Sequence, residues 1–313
     1  MRSRARYGWL CPENSARPDP KPERSAEAAV PVDTAAPSPY PRGMADTIPA
    51  VLQDLIDDAA VFPPGNAALE AAVPAHREHR RAWYAPMVGP LLVPASRLAA
   101  LRPGREELRI GVVVDVEPEL VAELVDALDE SVTVVQYESR AALHHLAGVV
   151  EAWAPADGAV PVFAELPFGE EGLDAIVGTG LIPKFRTGGP AAEFFPSAAS
   201  LAETMIACAR RDLRFKLTAG LHRAVRHRDP ETGFAHHGFL NVLAAAAEAS
   251  NGADAEAVAA VLESTDAEDL AARVRAIAAR PRPLWIGFGS CSIMEPLEDL
   301  TTLSLLRRGG AES

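Results

Sequence analysis

Short apolar runs alternate with amphipathic stretches along the chain from residue 60 onward. Several apolar runs are rich in β-branched residues and lack polar alternation, which is typical of strands buried on both faces. The intervening stretches carry apolar residues at helical spacing, as Leu201, Met205 and Cys208 do within 197–211. The eight predicted strands are residues 60–64, 87–94, 108–116, 132–138, 160–166, 181–187, 214–220 and 283–289.

Eight strands that alternate with helices over about 250 residues predict a (β/α)8 TIM barrel. A doubly wound open sheet is the competing topology. The connection after the seventh strand, residues 221–282, is too long for one helix. It contains three predicted helices, 238–249, 254–263 and 266–279, and such a helical excursion between strands seven and eight is long enough to cover the mouth of the barrel.

The first 43 residues are rich in Pro, Ser and charged residues and have no periodic apolar pattern. They lack the apolar segment of a secretory signal, and their acidic residues argue against a transit peptide. We expect residues 1–43 to be a disordered tail, followed by a single barrel domain over 44–313. The accompanying hypothesis is that translation begins at Met44 or that the tail is dispensable.

The composition, 48% hydrophobic and 23% charged over 313 residues, describes a globular protein. Its net charge of −13 argues against a nucleic-acid or membrane partner, because both require a basic surface. The three cysteines form neither a disulfide framework nor a zinc motif, so we expect a cytoplasmic protein. The expected partner is a small anionic metabolite bound in a local basic pocket; no oligomeric state is predicted.

Charged side chains end five successive predicted strands. Because the active site of a barrel lies at the C-terminal ends of its strands, these residues predict a polar mouth. Ionised groups are seldom buried without partners, so a network of structural ion pairs is the alternative. The residues are Asp115, Glu138, Glu165, Lys184, Arg186 and Lys216.

Lys184 and Lys216 would lie on neighbouring strands and point into the same cavity. Two adjacent ammonium groups disfavour each other's charge, so at least one pKa should fall. A neutral lysine attacks carbonyl carbon and forms a Schiff base. Alternatively, both lysines stay charged and neutralise Glu138 and Glu165.

The segments "PKFRTGG", "RFKLTAGL" and "WIGFGSCS" resemble strands six to eight of deoxyribose-phosphate aldolase and other class I aldolases. The resemblance implies that Lys184 is the Schiff-base residue and that Lys216 lowers its pKa. It also implies that Gly287, Gly289 and Ser290 face a phosphate. Arg186 and the sequence "TAGLH" depart from the aldolase pattern.

The spacing of Asp115, Glu138 and Glu165, with Lys184 on the next strand, resembles the enolase superfamily. That resemblance implies three carboxylates that bind Mg²⁺ and a lysine that moves a proton. The chain has only the tail where that superfamily has an N-terminal capping domain. The stretches "DDAAVFPPGNA", "FKLTAGLH" and "HHGFLNVL" resemble a family of uncharacterised bacterial barrel proteins, which implies no activity.

The segment after strand seven supplies further candidates. His236, His237 and Asn241 lie at the start of a predicted helix in the excursion. If the excursion folds over the mouth, we expect His222 and either His236 or His237 to serve as general acid or base. Loop packing and helix capping are the alternative roles. The turn that contains Ser290 precedes a possible helix N-terminus, whose free N–H groups suit a phosphate or carboxylate.

We expect a lyase of the class I aldolase type that acts on a small carbonyl compound bearing a carboxylate or phosphate. This lyase is expected to need no cofactor. The enolase-like alternative would use Mg²⁺. A non-catalytic barrel that binds an anionic metabolite is the third possibility. The expected catalytic residues are Lys184, Lys216, Glu138, Glu165 and His222. The expected substrate-binding residues are Arg186, Thr187, Gly188, Gly189, Thr218, His236, His237, Asn241, Gly289 and Ser290.

Overall fold

The computed structural model describes residues 48–140 and 160–308. Within them lie ten strands: β1 (Ile56–Asp58), β2 (Val88–Pro94), β3 (Leu108–Val114), β4 (Val132–Arg140), β5 (Val162–Glu165), β6 (Ile182–Arg186), β7 (Phe215–Thr218), β8 (His227–Arg228), β9 (Ala235–His236) and β10 (Trp285–Ser290). The strands β1 to β7 and β10 are parallel and close into a barrel, with β10 between β7 and β1. The predicted (β/α)8 barrel is therefore confirmed, and the competing topology, a doubly wound open sheet, is wrong. The predicted tail, 1–43, lies outside the described residues.

Eight α-helices lie in the described part of the chain: α1 (Leu69–Arg81), α2 (Pro118–Asp126), α3 (Glu171–Ile176), α4 (Ala198–Arg210), α5 (Phe239–Ser250), α6 (Ala255–Glu263), α7 (Ala267–Ala276) and α8 (Met294–Thr302). Ser197 caps α4 by accepting a hydrogen bond from the Ser200 amide. The three predicted helices of the excursion are confirmed as α5, α6 and α7. They pack on the outside of the barrel beside α4 rather than over its mouth.

The first strand was predicted at residues 60–64, and this prediction is wrong. β1 lies at Ile56–Asp58, where it pairs with β2 and β10 and closes the barrel. Residues 60–64 are turns instead. The physical reason is that Pro63 and Pro64 have no N–H to donate to a neighbouring strand.

Glycines on β2 and β3 leave room for side chains from the neighbouring strands. A Cβ atom at Gly89 would collide with the carboxylate of Asp57. A Cβ atom at Gly111 would lie 2.6 Å from Cδ2 of Leu92 and 2.8 Å from Cγ of Gln136. The side chains of Asp57, Leu92 and Gln136 therefore occupy space that these glycines leave free on the strands beside them.

We predict that Gly111→Ala lowers the free energy of unfolding by about 1–3 kcal/mol, because the added methyl group overpacks the barrel interior. The matched control is Gly289→Ala, whose Cβ atom would lie 3.2 Å from Leu92 and 3.8 Å from its next neighbours. Urea unfolding of both variants checks this. An equal loss in the two would contradict the packing explanation.

Candidate active site

Six charged side chains form an alternating chain of ion pairs through the barrel interior. We call it the ion-pair ladder; its members are, in order of contact, Asp57, Lys216, Glu138, Lys184, Glu165 and Arg186. They come from β1, β7, β4, β6, β5 and β6, and each acid lies next to a base. The strand register explains the arrangement, since Lys184 is paired with Lys216 on one side and Glu165 on the other.

Glu138 is the centre of the ion-pair ladder. Its Oε1 lies 2.6 Å from Nζ of Lys216, and its Oε2 lies 3.0 Å from Nζ of Lys184. All three side chains are at most 3% exposed. The two lysines therefore share one carboxylate that lies between them, instead of facing each other as the sequence predicted.

The outer end of the ion-pair ladder lies at the mouth of the barrel. Nζ of Lys184 is also 3.0 Å from Oε2 of Glu165, whose Oε1 accepts a 2.9 Å hydrogen bond from Nε of Arg186. Glu165 and Arg186 are the last residues of β5 and β6. The Arg186 side chain is 22% exposed, so it is the most exposed member of the ladder.

The inner end contains two residues that the sequence analysis missed. Asp57 pairs with Lys216, and the side-chain amide of Gln136 donates to both Asp57 (2.6 Å) and Glu138 (3.1 Å). The ring of Phe163 lies 4.7 Å from the Lys216 ammonium. Gln136 precedes Glu138 by two residues, so strand alternation places both on the same face and was the available signal.

Both glutamates of the ion-pair ladder are held ionised. Burial alone would raise the pKa of Glu138, but the ammonium groups of Lys184 and Lys216 outweigh it and lower that pKa to about 2. Burial likewise opposes ionisation of Glu165, but Lys184 and Arg186 lower its pKa to about 2.

The inner pair behaves differently. Burial lowers the pKa of Lys216, but the neighbouring Asp57 and Glu138 raise it above its ordinary value overall. Burial raises the pKa of Asp57, and the nearby Lys216 only partly offsets this. The expected fall of a lysine pKa is therefore not found at Lys216, because carboxylates surround its ammonium.

The chain is almost devoid of lysine elsewhere. Of its 30 Lys and Arg residues, only Lys21, Lys184 and Lys216 are lysines. Two of the three therefore lie in the ion-pair ladder. A lysine is the smaller cation and the only one of the two that readily loses its proton when buried.

The expected magnesium ligands do not come together. Asp115 is exposed beyond the end of β3, where it accepts a 2.8 Å hydrogen bond from the amide of Ser96. The other two acids of that set, Glu138 and Glu165, are bound to lysines. Within residues 48–140 and 160–308, no group of three or more His, Cys, Asp or Glu side chains is arranged to hold a metal ion.

Two of the predicted histidines lie near the mouth. Nδ1 of His222 is 2.8 Å from Oε2 of Glu295, which lies in the first turn of α8. Nδ1 of His236 is 3.3 Å from the carbonyl of Gly220, just after β7. Burial lowers the pKa of His236, so it is the neutral form that packs there. The β8–β9 hairpin, rather than the helices of the excursion, therefore lies beside the β7 end of the barrel.

His237 and Asn241 are structural. Nε2 of His237 is 2.9 Å from the Pro196 carbonyl, and burial lowers its pKa to about 4. The Asn241 amide donates to the carbonyls of Val261 (2.9 Å) and Ser264 (2.7 Å). Their polar atoms hold α5 to its neighbours, so these two residues do not reach the ion-pair ladder.

The glycine-rich turn after β6 packs against the turn after β7. Thr187 donates through its hydroxyl to the Ala219 carbonyl (2.6 Å), and its amide donates to the carbonyl of Thr218 (2.9 Å). A Cβ atom at Gly188 would lie 2.6 Å from Cα of Gly220. Gly189 lies against the ring of Phe194 in the same way. These turns shape the mouth through backbone contacts.

The predicted phosphate turn is bonded internally. Gly289 is part of β10 and faces the barrel interior beside Leu92. Ser290 donates through its hydroxyl to the carbonyl of Ser292 (2.8 Å). The Ser292 hydroxyl accepts from the amide of Glu295 (3.2 Å), which satisfies one N–H of the α8 N-terminus.

Comparison of this chain with protein-family models, with curated proteins and with solved structures finds no match. The resemblances to aldolases and to the enolase superfamily therefore stay predictions. In the described ranges, no helix has the length and apolar character needed to cross a membrane.

We predict that Glu138→Gln lowers the free energy of unfolding by about 3–5 kcal/mol, because it leaves two buried ammonium groups with an uncharged neighbour. Urea unfolding measures the change. The control is Glu170→Gln, which removes a largely exposed partner of Arg211 and should cost about 0–1 kcal/mol. Similar losses in the two variants would contradict the central role of Glu138.

We also predict that stability falls on acidification. Because the folded pKa values of Glu138 and Glu165, about 2, lie below their ordinary 4.5, their stabilisation is present above pH 4.5 and is lost as the pH falls towards 2. Asp57 acts in the opposite sense, since its pKa is raised. Urea unfolding between pH 7 and pH 3 should show a steep decline that becomes shallower in Glu165→Gln; an unchanged slope in that variant would refute the assignment.

Proposed function

We propose that this barrel is a lyase that acts on a small carbonyl compound bearing a carboxylate or phosphate, through a Schiff base on Lys184. The observation that carries the proposal is that Nζ of Lys184 lies 3.0 Å from one oxygen of Glu138 and 3.0 Å from one oxygen of Glu165. A nucleophilic amine needs a proton acceptor within hydrogen-bond distance. Lys184 has two.

Arg186 is the residue that receives the anionic group of the substrate. It lies at the mouth, and its guanidinium contacts Glu165 through Nε. A substrate carboxylate or phosphate that binds Arg186 competes with Glu165 for the same cation. The pKa of Glu165 then rises from about 2 towards its ordinary value, because one of the two cations that lower it is engaged elsewhere.

Glu165 then takes the proton from Lys184. The free amine attacks the carbonyl carbon, Glu165 returns the proton to the carbonyl oxygen, and loss of water leaves an iminium ion on Lys184. In a substrate with a hydroxyl on the β-carbon, Glu165 then takes the proton of that hydroxyl, the β-carbon becomes the carbonyl carbon of the departing fragment, and the electron pair of the broken Cα–Cβ bond forms an enamine. Glu165 returns this proton to the enamine carbon, and water hydrolyses the resulting iminium, which releases the product and restores the Lys184 ammonium.

Lys216 has a supporting role in this mechanism. Its raised pKa keeps it charged. It fixes Glu138 in the ionised form, with Asp57 and Gln136 holding the other side. Glu138 can then orient the Lys184 amine throughout the reaction.

A non-catalytic barrel that binds an anionic metabolite is the second candidate. It is favoured by the near-complete burial of both lysines and by their full pairing with carboxylates. In that case Arg186 alone recognises the anion, and the rest of the ion-pair ladder is structural. Covalent trapping distinguishes the two functions.

We predict that borohydride, added with one of a panel of small keto acids and phosphorylated ketones, gives a stable covalent adduct on Lys184. The protein mass should increase by that of one reduced ligand. Intact mass and peptide mapping measure it. Background is low because Lys21 is the only lysine outside the ladder. Lys184→Arg should abolish trapping, and the control Lys21→Arg should leave it unchanged. Binding of a panel member without any adduct on Lys184 would favour the non-catalytic barrel and sink the lyase.

A further inference from the structure

A second basic site lies at the opposite end of the barrel from Arg186. We infer that a cavity of about 220 Å³ between α1 and the first residues of β2 and β3 binds a phosphate group, either free or as a monoester. We call it the arginine pocket. Its lining includes His76, Arg77, Arg80, Arg81, Glu106 and Arg109.

The charge of the arginine pocket is opposite to that of the chain. Four arginines and two glutamates, Glu106 and Glu107, line it, which leaves an excess of two positive charges in a protein with a net charge of −13. Arg81 is paired with Glu106. Arg109 is exposed, and its side chain makes no ion pair or hydrogen bond with the residues that the structure describes. A concave surface with unbalanced cations attracts an anion.

Hydrogen-bond donors remain free inside the arginine pocket. Nε of Arg77 is buried and has no hydrogen-bond partner within the described ranges; its nearest carboxylate oxygen, on Glu106, is 3.7 Å away. Buried donors without partners are costly. An oxyanion in the cavity would satisfy this group.

The deepest polar group is His76, which is 2% exposed. Its Nδ1 lies 3.0 Å from Oδ2 of Asp58, which also accepts from the Ala60 amide through Oδ1. Because the carboxylate accepts, Nδ1 carries the hydrogen and Nε2 is the ring nitrogen left without a partner among the described residues. A carboxylate that fixes one nitrogen of an imidazole in this way orients the other towards a ligand.

A phosphate fits these groups better than a carboxylate. The donors come from α1 and from the start of β3, so they approach the cavity from different directions, which suits a tetrahedral group with several acceptor oxygens. The excess of two positive charges matches a dianion. In the free dianion HPO4²⁻, Nε2 of His76 can accept a hydrogen bond from the one remaining hydroxyl.

Titration calorimetry of the full chain with inorganic phosphate, at ionic strength held constant with NaCl, tests the inference. We expect saturable binding of one phosphate, about tenfold weaker in Arg109→Ala. Arg105→Ala is the matched control: Arg105 is exposed on the loop that precedes β3 but does not line the pocket, so this variant should bind as the parent does. Glycerol phosphate in place of phosphate should also bind, and tighter binding identifies a phosphorylated metabolite as the source.

Three outcomes would overturn the inference. The first is the absence of saturable phosphate binding. The second is that Arg105→Ala weakens binding as much as Arg109→Ala does, which would indicate only general charge attraction. The third is that Arg186→Ala abolishes binding whereas Arg109→Ala does not. The last would place the phosphate at the mouth, in the proposed active site. Because trapping on Lys184 does not involve this pocket, the lyase and the phosphate site can fail independently.

Discussion

An ionised carboxylate shared by two buried lysines is the constraint on which this barrel depends. Removing Glu138, Lys184 and Lys216 from water costs several kcal/mol for each charge, and only close pairing offsets that cost. Pairing of this kind requires the register that aligns Lys184 with Lys216. It also requires the space that Gly89 and Gly111 leave for Asp57 and Gln136 on the adjacent strands. The strand register, the positions of the glycines and the order of the charged side chains therefore depend on one another.

The sequence predicted the barrel and most of its charged interior, for a clear reason. Buried parallel strands read as unbroken apolar runs, and a charge at the end of such a run is conspicuous; this identified Glu138, Glu165, Lys184 and Lys216. β1 escaped because it has three residues, two of them acidic, so nothing in its pattern resembles a buried strand. Its acid Asp57 was missed with it.

Other assignments needed three-dimensional information that spacing does not contain. Asp115 follows a buried strand and Glu138 lies close to the end of one, but the chain leaves β3 at Val114 and the Asp115 side chain bonds to Ser96. His237 and Asn241 looked like site residues because polar groups in a loop over a mouth suggest chemistry. The structure uses them to satisfy backbone carbonyls between α5 and its neighbours. Sequence identifies which groups must find partners, whereas the fold decides which partners they find.

The long-range order of the ion-pair ladder bears on how the chain reaches its native state. Lys216 is 159 residues from Asp57 and 78 residues from Glu138, so no local segment can neutralise it. During synthesis, Asp57 and Glu138 emerge well before either lysine, and a half-barrel made from the first strands would carry uncompensated acids in its interior. Contacts of such high sequence separation form late and slowly. The barrel should therefore assemble as one cooperative unit, without a stable half-barrel intermediate.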